Sequence, residues 1–119
     1  MTGDQATPFT ENASTAVREL VSRHARVTPL LPAPVLSQRL GREVLLKLEC
    51  LQVTGSFKVR GAAARLESLG AQERLGGVVA CSSGNHGRAI SYVAGRTGIP
   101  ARVFVPDWVD PVKLDGIRS

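Results

Sequence analysis

The spacing of apolar residues changes period along the chain. Val17, Leu20 and Val21 recur at helical spacing, so a helix capped by Ser14 is predicted through about His24. Thr28-Pro29 ends it, because the residue before a proline is pushed out of the helical region. Residues 30–34 read as an extended, proline-punctuated segment, and residues 35–40 as a short helix closed by Gly41. In EVLLKLE (43–49) the period drops to two. Val44, Leu46 and Leu48 would share one face of a strand, with Lys47 and Glu49 on the other. A loop runs to Gly55, and Ser56 is placed to cap a helix to about Leu69. Gly76-Gly77 breaks the chain before a short apolar strand, GVVAC (77–81), and a tight polar turn at 82–84. Residues 85–97 are predicted helical, with Ala89, Ile90, Val93 and Ala94 as the buried stripe and Gly98 and Pro100 as the stop. ARVFV (101–105) is a further strand, and another helix starts near Pro111. Residues 77–105 thus predict a βαβ unit, two parallel strands joined with right-handed topology. The class is α/β, preceded by a loose polar tail over residues 1–13.

Composition narrows what such a fold can be for. A hydrophobic content of 43% over 119 residues fits a folded globular chain. No run of eighteen apolar residues crosses a membrane, and the start lacks the basic and apolar regions of a secretory signal. Cys50 and Cys81 form no CxxC pair, so a cytoplasmic setting is expected. The net charge of +5 invites a nucleic-acid reading. The twelve arginines are scattered from Arg18 to Arg118, however, and one Trp, one Tyr and three Phe supply few stacking surfaces. Nucleic acid is therefore not expected as a partner. Two histidines and two cysteines do not make a paired-ligand zinc site, so no metal is expected.

Two segments concentrate chemistry. In GSFKVRG (55–61), Lys58 falls in the first turn of its predicted helix. The positive end of the helix dipole disfavours an ammonium there, and carbonyl condensation requires a neutral amine. Gly61 and Ala62 lie beneath the same face and would let a flat ring approach. The same residues also fit an exposed lysine near a helix start. In SSGNHG (82–87), hydroxyls, an amide and two glycines sit between a strand and a helix N-terminus, a place built to hold an anion. They also fit a capped helix start, with Ser83 or Asn85 as the cap. Each segment follows a predicted strand, and ligands of open α/β sheets bind beyond the carboxyl ends of strands. An amine and an anion-binding turn are thus expected to face one crevice.

These segments carry a resemblance. Thr28-Pro29-Leu30, LLKLECLQVTGSFKVRGA (45–62), VVACSSGNHGRAI (78–90) and GIPARVFVP (98–106), in this order and spacing, resemble the N-terminal part of the fold-type II pyridoxal-phosphate enzymes. The similarity is to the threonine/serine dehydratase and serine racemase group, and covers roughly residues 26–119. The string from Ala25 to Arg42, followed by GNHGRA, also looks like the dehydratases of hydroxyectoine utilisation. The resemblance implies a tryptophan-synthase-beta-like fold, a parallel three-layer αβα sheet present here in part. Residues 1–27 would be a leading tail and helix, and residues 28–119 the N-terminal portion of the catalytic domain.

The resemblance also implies roles. Lys58 looks like the lysine that holds pyridoxal 5'-phosphate as a Schiff base, with Phe57 flanking the cofactor. Asn85 matches the asparagine that hydrogen-bonds the cofactor's phenolic oxygen. Ser82, Ser83, Gly84 and His86 look like the turn that holds the substrate carboxylate. Ser83 matches the serine that serves racemases of the group as a second acid/base. The implied reaction is β-elimination from threonine or serine to a 2-oxo acid and ammonia, with Lys58 as both anchor and base. The alternatives are a serine racemase-like isomerase and a truncated, non-catalytic α/β protein. The whole protein would be a homo-oligomer acting on a small amino acid. The family's glycine-rich phosphate loop and the polar residue facing the pyridine nitrogen have no counterpart in residues 1–119, so this chain alone is expected to bind the cofactor poorly.

Overall fold

The computed structural model of the chain describes the backbone of residues 11–119 and the side chains from residue 14 onward. Helix α1 (Glu11–Ser22) begins three residues before Ser14, so the expected cap lies inside the helix. The tail expected over residues 1–13 falls outside the described residues up to residue 10. Val21 turns toward the core, whereas Val17 is exposed.

Strand β1 (Leu30–Pro32), helix α2 (Pro34–Leu40) and strand β2 (Leu45–Lys47) form one compact turn of chain. Pro34 opens α2, where its missing N–H leaves no bond unmade, and Gly41 closes it in the left-handed region at φ 64°. The Ser37 hydroxyl accepts the Val44 N–H at 2.9 Å, and this stitches the end of α2 to the start of β2. The two strands pair antiparallel, Leu31 opposite Leu46. The alternation expected over 43–49 therefore yields three strand residues, and all three are exposed. This pair stands apart from the other sheet.

The core is the contact between helices α3 (Lys58–Glu67) and α5 (Asn85–Thr97). Val59, Ala62, Ala63 and Leu66 from α3 meet Ala89, Ile90, Val93 and Ala94 from α5, the stripe that the periodicity predicts. Four alanines at this seam let the two backbones approach, and Leu66, Val59 and Val93 fill what remains. Helix α1 packs on α3 from outside, and α6 (Pro111–Arg118) packs on α5 through buried Ile117. The Asp110 carboxylate caps α6, accepting from the Val112 N–H at 2.9 Å and the Lys113 N–H at 3.3 Å.

Strands β3 (Val78–Cys81) and β4 (Ala101–Phe104) are parallel, in register from Val78 opposite Ala101 to Cys81 opposite Phe104. The parallel pairing of two strands joined through α5 is thus as the sequence predicts. Val78, Ala80 and Val103 pack toward the helices, while Val79 is 73% exposed on the other face. The α/β class holds. Of the three layers expected, the described residues supply a two-stranded parallel sheet with helices on one face. Gly77, at φ 75°, leads into β3 where a Cβ would lie 2.5 Å from the Pro100 carbonyl oxygen, so glycine is required there twice over.

Two further details differ from expectation. Helix α3 ends at Glu67 rather than Leu69, and a short helix α4 (Ala71–Gly76) follows, which the apolar spacing does not announce. Its one large apolar residue, Leu75, is 76% exposed. What holds it is polar: the Glu73 carboxylate accepts the Gly70 N–H at 2.9 Å, and Arg74 donates to the carbonyls of Glu67 and Leu69 at 3.0 Å each.

Because Leu66 is fully buried in the α3–α5 seam, Leu66→Ala is expected to cost about 2–5 kcal/mol in urea unfolding, with the m-value unchanged. A cost below about 1 kcal/mol would show that this seam does not organise the fold.

Candidate active site

The chain reaches Lys58 through a sequence of turns. After β2, a single 3-10 turn (Glu49–Leu51) leads to Gly55, which turns the chain at φ 74°. Phe57, not Ser56, occupies the N-cap of α3, and no side chain caps that end. Ser56 lies one residue too early, and its hydroxyl only accepts the Lys58 N–H at 3.4 Å. Lys58 is exposed, and among the described residues its ammonium has no carboxylate partner. It lies 4.8 Å from the centre of the Phe57 ring, a cation–π contact. Gly61, one turn on, has open space where a Cβ would project.

Behind this segment is a polar network with no counterpart among the sequence expectations. The Glu49 carboxylate takes two hydrogen bonds from the Arg60 guanidinium, from Nε and Nη2 at 2.8 Å each, and a third from the Thr28 hydroxyl at 2.5 Å. Buried Gln52 brackets the Arg26 backbone, donating to its carbonyl at 2.6 Å and accepting its N–H at 3.1 Å. Lys47 Nζ donates to the Thr28 carbonyl at 2.5 Å. The Arg60 bonds, opposed by burial and helped by Thr28, hold the Glu49 carboxyl down to about 2 from an ordinary 4.5. A second cluster lies at the far end of α3. His24 Nε2 and Glu67 Oε1 are 2.6 Å apart, Arg74 and Arg23 flank the same carboxylate, and Glu67 is likewise lowered, chiefly by His24.

The second candidate segment also differs from its plainer reading. Gly84 is the N-cap of α5, and no side chain caps the helix. Neither Ser83 nor Asn85 is spent on that task. Asn85 is the first helical residue and is exposed, as are Gly84 and His86, while Ser82 and Ser83 are half-buried. The Ser82 hydroxyl accepts the Gly84 N–H at 3.3 Å. The helix thus presents its leading N–H groups and positive end without an internal anion. Gly87 is buried beneath the turn. A Cβ there would sit 2.5 Å from the Ser82 carbonyl oxygen and 3.1 Å from Val103 Cγ1, so only glycine lets the turn lie this close to α5.

The single crevice expected from the sequence takes a different form. The two segments follow strands of separate sheets, and a loop separates β2 from Lys58. What joins them is the α3–α5 contact, because each helix begins with its candidate residue. Gly84 and Asn85 line a cleft of about 160 Å³ with Arg88, Val112, Lys113 and Gly116, and Lys58 and Phe57 stand outside it. The cations Arg88 and Lys113 are additions to the sequence reading. Arg88 stands three residues beyond Asn85 on the same helix, at ordinary helical spacing, whereas Lys113 comes from α6 and only tertiary packing brings it there.

Residues 21–119 match the family described as pyridoxal-phosphate dependent enzyme. Serine racemase of Bos taurus is 42% identical over 112 residues, covering 92% of this chain and 32% of that protein. L-threonine ammonia-lyase of Thermotoga maritima is 42% identical over 92 residues, covering 77% of this chain and 23% of that protein. The crystal structure of serine racemase from Dictyostelium discoideum superposes with a TM-score of 0.81 at 38% identity, over 87% of this chain and 34% of that one. The chain belongs to the pyridoxal-phosphate dependent enzymes, with the α/β architecture of fold type II. It spans about a third or less of the length of the curated relatives it matches. The cofactor of this family is pyridoxal 5'-phosphate.

Two outcomes are expected here. Gly87→Ala should destabilise the protein by about 1–3 kcal/mol and raise hydrogen exchange at residues 82–86, because the new methyl meets backbone rather than a movable side chain. Unchanged exchange in those residues would argue against the close approach. The Glu49 carboxyl is depressed in the fold, so its contribution is full above about 4.5 and is lost as pH falls toward about 2. Allowing for the partial exposure of Arg60, that contribution is about 2 kcal/mol. Unfolding free energy measured across this interval should fall less steeply in Glu49→Gln than in the parent, and parallel curves would contradict the pairing.

Proposed function

We propose that the whole protein is a pyridoxal-phosphate dependent ammonia-lyase that converts a small hydroxy amino acid, threonine or serine, to a 2-oxo acid and ammonia. The observation that carries this reading is the state of Lys58. It is an exposed amine at the head of a helix, without a carboxylate partner among the described residues, beside an aromatic ring and with open space at Gly61. That environment fits a covalently attached ring. The uncapped start of α5 fits an anion in the same way. Residues 28–119 are then the N-terminal portion of the catalytic domain.

In this reading Lys58 Nζ holds the cofactor and Phe57 flanks it. When bound, pyridoxal 5'-phosphate supplies a reactive carbonyl carbon and a ring that takes up charge from the substrate's α-carbon. The turn Ser82–His86 and the leading N–H groups of α5 receive the substrate carboxylate and orient its Cα–H bond. The Asn85 amide donates to the cofactor's phenolic oxygen. Lys58 Nζ, once free, removes the α-proton as general base. A racemase is the second reading, and Ser83 favours it. Its hydroxyl is half-buried beside Asn85 and not used as a cap, leaving it available to move a proton on the opposite face of the substrate.

A cytoplasmic homo-oligomer is the setting we infer. Cys50 and Cys81 are free and exposed, as fits a reducing compartment. No helix among the described residues is long and apolar enough to cross a membrane.

With L-threonine and L-serine, the whole protein should release 2-oxo acid, and Lys58→Ala should lower that release by about a thousandfold or more. Full activity in Lys58→Ala would end this reading. D-serine formation that disappears in Ser83→Ala while 2-oxo-acid release persists would establish the racemase alternative.

A further inference from the structure

Lys58 and Arg60 are two residues apart on one helix, yet one is free and the other is anchored. At about 100° per residue, they lie about 200° apart around α3. The buried side chains of Val59, Ala62, Ala63 and Leu66 occupy the arc between them. Lys58 and Arg60 are therefore the two flanks of the helix's inner face. Two of the four residues on that face are alanines, which offer little steric resistance to rolling of the helix about its axis. A roll would sweep Lys58 Nζ through several ångströms.

Arg60 opposes that roll. Its guanidinium meets the Glu49 carboxylate through two parallel bonds of 2.8 Å. A bidentate fork fixes orientation as well as distance, which a lysine ammonium would not do. Glu49 in turn is tied to residues outside α3. Thr28, 3% exposed, donates to it, Lys47 holds the Thr28 carbonyl, and Gln52, 5% exposed, clasps the Arg26 backbone. Arg60 Nη2 also reaches the Arg26 carbonyl at 3.4 Å. The same network spans the turn that delivers the chain to Lys58, so the lysine is held from both sides in sequence.

We propose that the Glu49–Arg60 ion pair positions Lys58, by fixing the roll of α3 against the 26–28 and 49–52 segments. This rests on the reading of Lys58 as the cofactor's lysine. Glu49 and Arg60 are positioning residues and touch neither cofactor nor substrate in this account.

The test uses the whole protein, incubated with pyridoxal 5'-phosphate and reduced with borohydride, with the labelled residue identified by peptide mapping. Parent protein labelled at Lys58 upholds the reading of that lysine. Parent protein labelled elsewhere, or nowhere, overturns that reading and this proposal with it. Arg60→Lys and Glu49→Gln are then compared with Val93→Ala, which loosens the α3–α5 core without touching the pair. The proposal expects both pair variants to label Lys58 about tenfold more slowly than Val93→Ala at equal or smaller loss of apo-protein Tm. It also expects faster hydrogen exchange at residues 53–60 in the pair variants, and a double variant no slower to label than either single one. Labelling rates that simply follow Tm across all three variants would make the pair a structural contact only. Loss of cooperative unfolding in both pair variants would likewise count against positioning and assign the pair to folding.

Discussion

The apolar seam between α3 and α5 is the interaction on which the rest depends. It contains three of the largest fully buried side chains, Leu66, Val59 and Val93, and four alanines that let the helices close on one another. Most of the other packed elements are attached to one of these two helices. Helix α1 lies on α3, α6 lies on α5, and the β3–β4 sheet is joined to α5 through Val78, Ala80 and Val103. The seam also relates the two candidate segments. Each helix has a candidate residue as its first helical position, so packing the helices is also what relates Lys58 to Asn85.

The two helix starts are alike in one respect. Neither N-cap residue caps its helix through a side chain, and the nearby serines make only long contacts, Ser56 accepting the Lys58 N–H at 3.4 Å and Ser82 the Gly84 N–H at 3.3 Å. At α6, by contrast, Asp110 caps in the ordinary way, with two backbone donors on one carboxylate oxygen. An uncapped N-terminus costs on the order of 1 kcal/mol. Leaving two uncapped at the candidate residues is consistent with groups kept available for a ligand. The compensation lies nearby, in half-buried polar networks that use charge-assisted bonds, Glu49 with Arg60 at one end of α3 and Glu67 with His24 and Arg74 at the other.

Much of this was legible in the sequence where the signal is local. The stripe Ala89, Ile90, Val93 and Ala94, with the stop at Gly98, defines α5 to the residue, and the βαβ order follows from short apolar runs on either side. The two candidate segments stand out in the sequence by residue type, a lysine at a helix start in one and more hydroxyl, amide and glycine residues than a cap needs in the other. Features that depend on distant partners were not readable. The antiparallel pairing of 30–32 with 45–47 joins segments across a whole helix. Helix α4 has no apolar stripe, because polar bonds hold it to the end of α3. The pairing of Glu49 with Arg60, and the approach of Lys113 to Asn85, arise from how helices are placed, and no spacing in the chain encodes them. Ser14 and Ser56 misled for a related reason: a serine can cap only when the backbone turns at its own position, and it turns elsewhere in both cases.

The central claim is that one cofactor bridges the starts of α3 and α5. A crystal structure of the whole protein with pyridoxal 5'-phosphate tests it most directly. The account predicts a bond from the cofactor's aldehyde carbon to Lys58 Nζ, with the Asn85 side-chain amide within hydrogen-bond distance of the cofactor. The chain has only two other lysines, Lys47 and Lys113. A cofactor attached to either of them, or held by Lys58 with Asn85 turned away, would contradict the account.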